Sequence, residues 1–163
     1  MELNNIIHKL YKKQDSFQWM NYNFSEMKGK NVLITGGSGF LGSNLARRLV
    51  DLGAWVTLFL KPGQDKKNIK QIESKIKIIE GNLLDSNDIT KAISGKDYLF
   101  HFAWQTDLKK SMIQPQEDVK NDLGGILGIL EHCRKENPEV KIIFTSSTTV
   151  IGLPKQIPSD ESE

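Results

Sequence analysis

The chain has 163 residues, with 22 Lys or Arg against 20 Asp or Glu, so its formal net charge is only +2. This length suffices for one domain with a real core, and the charge balance argues against a nucleic-acid or anionic-membrane partner. A single cysteine excludes an intrachain disulfide, no apolar stretch nears the roughly 20 residues that cross a bilayer, and the amino terminus lacks a secretory-signal pattern. We therefore expect a cytoplasmic protein.

Residues 1–29 differ in residue pattern from the rest of the chain, and we interpret them as a leader. Apolar residues at helical spacing predict one amphipathic helix, followed by an aromatic-rich linker that ends near Gly29. The favoured interpretation is a leader helix that packs on the main domain. The alternative is a surface for a partner subunit.

From residue 30 to residue 163, short apolar runs alternate with helical patterns. Strands are predicted at 31–35, 55–60, 75–81, 97–103 and 140–147. One helix follows the first strand, a second runs from a cap at Asp85 or Ser86 to about Ile93, and a third spans about 116–136. In the third helix the inward residues are predicted to be Val119, Leu123, Ile126, Leu127 and Leu130. This alternation indicates an α/β fold, a doubly wound parallel sheet in strand order 3-2-1-4-5 that is truncated after about the fifth strand.

The first strand runs directly into the glycine-rich stretch "TGGSGFLG", which opens the first helix. A glycine loop in this place permits a tight turn and lets a diphosphate approach the backbone, where the helix amides and dipole favour the anion. The stretch therefore predicts a dinucleotide site, and the alternative is a glycine-rich turn without a ligand.

The end of the second strand bears on which dinucleotide is bound. An acidic residue there would bond the ribose 2′-hydroxyl of NAD, but the sequence has Leu60 and Lys61. A lysine suits a 2′-phosphate, so the pattern leans towards NADP over NAD. The alternative is an exposed lysine at a strand end.

Five motifs in order resemble the extended short-chain dehydrogenase/reductase family, the NAD(P)-dependent nucleotide-sugar epimerases and dehydratases. They are "TGGSGFLG", "EGNLLD", "FHFAWQ", "NDLGGILGILEHCR" and "FTSSTTVIG". Each departs locally: Asn82 stands where an acid usually contacts adenine, Trp104 replaces a small residue, and Ile151 replaces a tyrosine. The resemblance implies a Rossmann-type fold and a structural role for Asn121.

The resemblance also implies site residues. Ser147 would be the catalytic-site hydroxyl, and the cofactor would be bound by Gly36, Gly39, Phe40, Leu41, Gly42, Lys61, Asn82, Leu83, Phe102, Ala103, Trp104 and Thr145. The substrate would be a nucleotide sugar. In this family a tyrosine acts as the base beside a lysine that lowers its pKa.

No tyrosine of this sequence is followed four residues later by lysine, and the family places that pair roughly 25 residues beyond the serine. We therefore expect a cofactor-binding portion that is inactive alone. A bare edge on the fifth strand would favour a homo-oligomer or other pairing through that edge. The alternatives are a stand-alone NAD(P)-binding regulatory or partner-binding module and a remnant without a ligand.

The remaining candidate residues favour structural roles. His101 follows the inward strand pattern without an acidic partner, and Cys133 is typical of a packed small residue. Asp107, Glu117 and Asp118 are interpreted as solvated helix caps. No group of Cys and His residues has metal-ligand spacing.

Overall fold

A computed structural model describes residues 24–153, 155 and 157. The predicted leader helix and most of its linker lie outside the described residues. The strands are β1 (Asn31–Thr35), β2 (Trp55–Leu60), β3 (Lys77–Glu80), β4 (Tyr98–His101) and β5 (Lys141–Phe144). The α-helices are α1 (Phe40–Asp51), α2 (Ser86–Ile93), α3 (Leu108–Ile113) and α4 (Pro115–Glu136). Three 3-10 helices add Phe24–Met27, Lys67–Lys75 and Thr148–Ile151.

All five strands form one parallel sheet in the order β3-β2-β1-β4-β5, which confirms the predicted topology. The order reverses between β1 and β4, and in doubly wound folds the crevice that takes a ligand lies at the carboxyl ends of the strands on either side of such a reversal. β1 and β2 are buried on both faces apart from their first residues, as expected for central parallel strands.

Two hydrophobic clusters cover the two faces of the sheet. On one face α1 and the 3-10 helix Lys67–Lys75 pack over Val32, Ile34 and Leu58. On the other face α2 and α4 pack over Leu33 and Leu99. The end of the predicted linker touches the first cluster through Met27, and Gly29 donates its amide to the carbonyl of Gly53 at 2.8 Å.

The prediction of the inward face of α4 was wrong. The predicted residues Val119, Leu123, Leu127 and Leu130 are exposed, Leu127 by 61%, and Ile126 is half-buried. The buried residues are Gly125, Ile129 and Cys133. Gly125 packs beside Leu83, and Gly128 packs more tightly, because a Cβ on Gly128 would lie only 3.1 Å from Cδ1 of Ile89. Close packing through small residues therefore turned the larger side chains outward.

β5 forms one edge of the described sheet and is only partly covered. Ile143 and Phe144 are exposed, Phe144 by 64%. The amide of Lys141 donates to the carbonyl of Asp97 on the β4 side, so the amides of Ile142 and Phe144 point to the open edge. Among residues 24–153, no helix is long and apolar enough to span a membrane.

Candidate functional site

The glycine loop after β1 is pressed against the segment that succeeds β4. Gly36 has a positive φ of 67°, a conformation that disfavours any side chain. A Cβ on Gly36 would also lie 2.7 Å from the carbonyl of Phe102 and 2.8 Å from the amide nitrogen of Ala103. The two sides of the crevice therefore touch through backbone alone.

The amino terminus of α1 is open. Its N-cap residue, Gly39, is extended, and no side chain among the described residues caps the helix. In contrast, Asp85 caps α2 and Asp107 caps α3, each by accepting two backbone amides. A Cβ on Gly39 would meet only the carbonyl oxygen of Gly36, at 3.2 Å. The first amides of α1 therefore have no side-chain acceptor among the described residues, and helix termini of this kind are able to bind anions.

Two predicted cofactor-binding residues, Phe40 and Leu41, stand on the first turn of α1 beside these amides. Phe40 is 80% exposed and Leu41 is also exposed, whereas Gly42 is buried. A Cβ on Gly42 would collide with the carbonyl oxygen of Gly36 at 2.5 Å. The absence of a side chain at Gly42 therefore allows α1 to pack closely against the glycine loop. The exposed side chains of Phe40 and Leu41 border the space in front of the helix.

A buried hydrogen-bond network joins β1 to the segment after β4. The hydroxyl oxygen of Thr35 accepts the amides of Phe102 at 3.3 Å and Ala103 at 3.2 Å, and it lies 2.8 Å from Nδ1 of His101. The amide of Phe102 also donates to the backbone carbonyl of Thr35, at 3.2 Å. We assign the hydroxyl proton to Nδ1, an arrangement in which the neutral imidazole carries its own proton on Nε2. Thr35 and His101 are both buried.

The environment of His101 confirms its structural interpretation. Burial lowers the pKa of His101 to about 4, so the ring stays neutral near pH 7. Its Nε2 has no hydrogen-bond partner within the described part of the chain. Sequence reasoning gave no role to Thr35, although a hydroxyl residue at the end of a buried apolar strand is a signal for such a network.

Lys61, Asn82 and Leu83 lie together at the carboxyl ends of β2 and β3. Leu60 pairs with Glu80, so Lys61 and Gly81 are the next neighbours. The side chain of Lys61 is exposed, and its ammonium forms no ion pair within residues 24–153. The side chain of Asn82 accepts the amide of Leu84 at 3.0 Å and shapes the turn, while Leu83 is half-buried.

Trp104, Thr145 and Ser147 lie on the other side of the crevice. His101 pairs with Phe144 at the ends of the two strands, and Trp104 and Ser147 each follow three residues later, in the segments after β4 and β5. The Oγ of Ser147 accepts the hydroxyl of Thr149 at 2.9 Å and the amide of Thr149 at 3.3 Å. Because this oxygen accepts two hydrogen bonds from Thr149, its own proton is not used in either of them.

Asp122, which sequence reasoning missed, holds the loop between β4 and α3. Both carboxylate oxygens accept the amide of Gln105, each at 3.2 Å. Burial raises the pKa of Asp122, the Gln105 amide lowers it, and the charge of Asp118 raises it further. Asn121, to which a structural role was assigned, is exposed and donates to the carbonyl of Glu117 within its own helix. The sequence contained a signal for this role of Asp122. Gly125 is buried and lies three residues after Asp122, so the two residues share one side of α4.

Other candidates take no part in this arrangement. Cys133 is buried in the second hydrophobic cluster, and burial raises the pKa of its thiol. Asp107 is a helix cap, as predicted. No group of three or more His, Cys, Asp or Glu side chains in the described region is placed to hold a metal ion.

Comparisons with known proteins agree with this geometry. Residues 32–163 match the model of the NAD dependent epimerase/dehydratase family. CDP-paratose 2-epimerase of Salmonella typhi is 33% identical over 138 residues, which cover 81% of this chain and 41% of that protein.

Two solved structures show the same fold. UDP-glucose 4-epimerase of Brucella ovis, in complex with NAD, has a TM-score of 0.70 and 26% identity, covering 83% of this chain and 41% of that one. UDP-N-acetylglucosamine 4-epimerase of Methanobrevibacter ruminantium, in complex with UDP-N-acetylmuramic acid, has a TM-score of 0.70 and 32% identity, covering 83% and 44%. The chain thus spans about two fifths of these proteins. With the glycine loop, the strand order and the family match in agreement, the chain belongs to the NAD dependent epimerase/dehydratase family.

Proposed function

We propose that this chain is the NAD(P)-binding portion of a nucleotide-sugar epimerase/dehydratase-type oxidoreductase. The observation that carries the proposal is the amino terminus of α1, which has no side-chain cap among the described residues and directly follows the glycine loop at the end of β1. The helix α4 also lacks a side-chain cap in the described part of the chain, but it begins at a proline and follows no glycine loop. When bound, the dinucleotide would supply hydride transfer. Gly39, Phe40 and Leu41 would bind its diphosphate, while Lys61, Asn82 and Leu83 would bind the adenosine half.

The nicotinamide half would then lie along Phe102, Ala103, Trp104 and Thr145, with the Ser147 hydroxyl donating to a substrate oxygen. The crevice at the strand-order reversal supports this placement, since dinucleotides lie across such crevices. The sequence contains no tyrosine-lysine pair at the required spacing, so we infer that this portion does not turn over a nucleotide sugar by itself. A cytoplasmic location fits this activity.

Gly39→Asp tests the diphosphate site. The extended Gly39 has the backbone of an N-cap, so an aspartate there should cap α1 and raise the free energy of unfolding by about 0.5 kcal/mol. The same carboxylate should occupy the amides, repel the diphosphate and weaken NAD⁺ and NADP⁺ binding by about a hundredfold. Calorimetric titration gives the affinities, and thermal unfolding gives the stability.

Gly39→Ala is the matched control, because it adds only a Cβ that meets one carbonyl oxygen at 3.2 Å. It should weaken binding less than the aspartate. Unchanged affinity in Gly39→Asp would contradict the diphosphate site. If the unaltered chain shows no stabilisation by NAD⁺, NADH, NADP⁺ or NADPH, where about 2.7 kcal/mol is expected at 100 times Kd, the whole proposal fails and the remnant without a ligand is favoured.

Lys61 supports a preference for NADP over NAD, because its exposed ammonium stands at the end of β2 without an ion-pair partner in the described residues. Lys61→Asp should weaken NADPH binding by about tenfold or more and strengthen NADH binding, since a carboxylate repels a 2′-phosphate and accepts a 2′-hydroxyl. Lys91→Asp makes the same change of charge on α2, and it controls for the effect of net charge alone. Equal affinities of NADPH in both variants would refute the preference.

A second candidate function is a stand-alone NAD(P)-binding regulatory or partner-binding module. The exposed apolar side chains of α4 and β5 favour it, because such patches mark contact surfaces. Within either function, we propose that copies pair through the open edge of β5.

A further inference from the structure

Trp104 combines a fixed backbone with an exposed side chain. The amides of Phe102 and Ala103 on one side are bound by the buried hydroxyl of Thr35. The amide of Gln105 on the other side is bound by the carboxylate of Asp122. The indole between these anchors is 55% exposed. An aromatic side chain on a backbone held at both neighbours is presented to a ligand with little loss of conformational entropy.

The position of Trp104 defines which part of a dinucleotide it can reach. A diphosphate at the amino terminus of α1 places the adenosine half towards the end of β2, where the ribose-binding position lies. The other half then crosses the reversal point towards the carboxyl ends of β4 and β5, and Trp104 lies in the segment that follows β4. Only the nicotinamide half contains a ring that reaches this side.

We propose that the indole of Trp104 stacks on the nicotinamide ring and favours its oxidised form. The inference rests on the proposed function and specifies the contact within it. The oxidised ring carries a positive charge, and an indole face attracts cations as well as planar rings. A reduced ring is neutral and retains only the stacking. A small residue at this position would offer neither interaction.

Trp104→Ala tests the contact with three probes: NAD⁺, NADH and ADP-ribose, which lacks the nicotinamide. We expect affinity to fall by about tenfold for NAD⁺ and about threefold for NADH, and to stay within about twofold for ADP-ribose. Trp104→Phe, which keeps an aromatic face, should restore most of the NAD⁺ affinity. Trp55→Ala is the matched control, because Trp55 is also exposed but begins β2 at the opposite end of the sheet.

The possible results distinguish a loss of the Trp104 contact from a loss of the whole dinucleotide site. A selective loss ordered NAD⁺, NADH, ADP-ribose supports the proposal. Equal losses of affinity for all three probes in Trp104→Ala would mean that the substitution disturbs the anchored loop. Unchanged affinities would mean that Trp104 makes no contact with the nicotinamide. Either result overturns the proposal, but dinucleotide binding by the chain would still stand. If the unaltered chain binds none of the three probes, the proposed function itself fails, and the stacking contact fails with it.

Discussion

At the scale of single residues, the buried pair Thr35 and His101 holds the crevice together. The threonine hydroxyl connects the end of β1 to two amides beyond β4, and its oxygen lies 2.8 Å from Nδ1 of the imidazole. Burial of a neutral imidazole makes this junction sensitive to acid. The unfolded chain protonates His101 near its ordinary pKa of 6.5, whereas the folded chain resists protonation until about pH 4.

The sign of the pH effect is set by this difference. Above pH 6.5 both states are neutral at His101, and the residue adds no pH dependence. Between pH 6.5 and pH 4 the unfolded state binds the extra proton, so stability should fall as pH falls, by up to about 3 kcal/mol. Urea unfolding across this range should show the slope in the unaltered chain, and His101→Gln should lose it.

The nitrogen resonances of the His101 ring provide a second measurement, because the network requires a bare Nδ1 and a protonated Nε2 at pH 7. A slope that persists in His101→Gln, or the opposite tautomer, would contradict the network. Thr35→Val should shift these resonances because it removes the hydroxyl, and Thr35→Ser should preserve them.

At the scale of elements, periodicity predicted all five strands and their order, because buried parallel strands are continuous apolar runs. The helix Ser86–Ile93 and its cap at Asp85 were predicted as well. The orientation of α4 could not be predicted by counting large apolar residues, since its contact face is built around Gly125. The short helix α3 and the 3-10 helix Lys67–Lys75 were missed, as both lack a long apolar period.

The candidate site was also predicted only in part from the sequence. The glycine loop was predictable because its spacing has a mechanical cause in the strand-to-helix turn. Thr35 at a strand end and Asp122 near a buried glycine were signals of structural roles. The amides that they bind could not be predicted, because each amide lies in a loop distant in sequence. Asp122 binds the loop while its neighbour Asn121 donates to Glu117 within α4, because successive side chains on a helix point roughly 100° apart around the axis.

At the scale of the whole molecule, the exposed edge of β5 predicts association of the isolated chain. Phe144→Lys should reduce it, because a charged side chain at an edge strand opposes pairing. Sedimentation velocity at rising concentration measures the effect. Trp55→Lys replaces another exposed strand aromatic, at the far end of the sheet, and should leave association unchanged. An unaltered chain that stays monomeric at all concentrations would contradict pairing through this edge.

The sheet has a second boundary strand, β3, at its other side. Two β5 strands related by a twofold axis would close into a finite pair and leave no β5 available. A copy that instead presents β3 to the β5 of its neighbour leaves one strand of each kind at the ends, so growth has no natural stopping point. In the proposed pairing, the strand that meets β5 would therefore decide between a bounded particle and an elongating fibre.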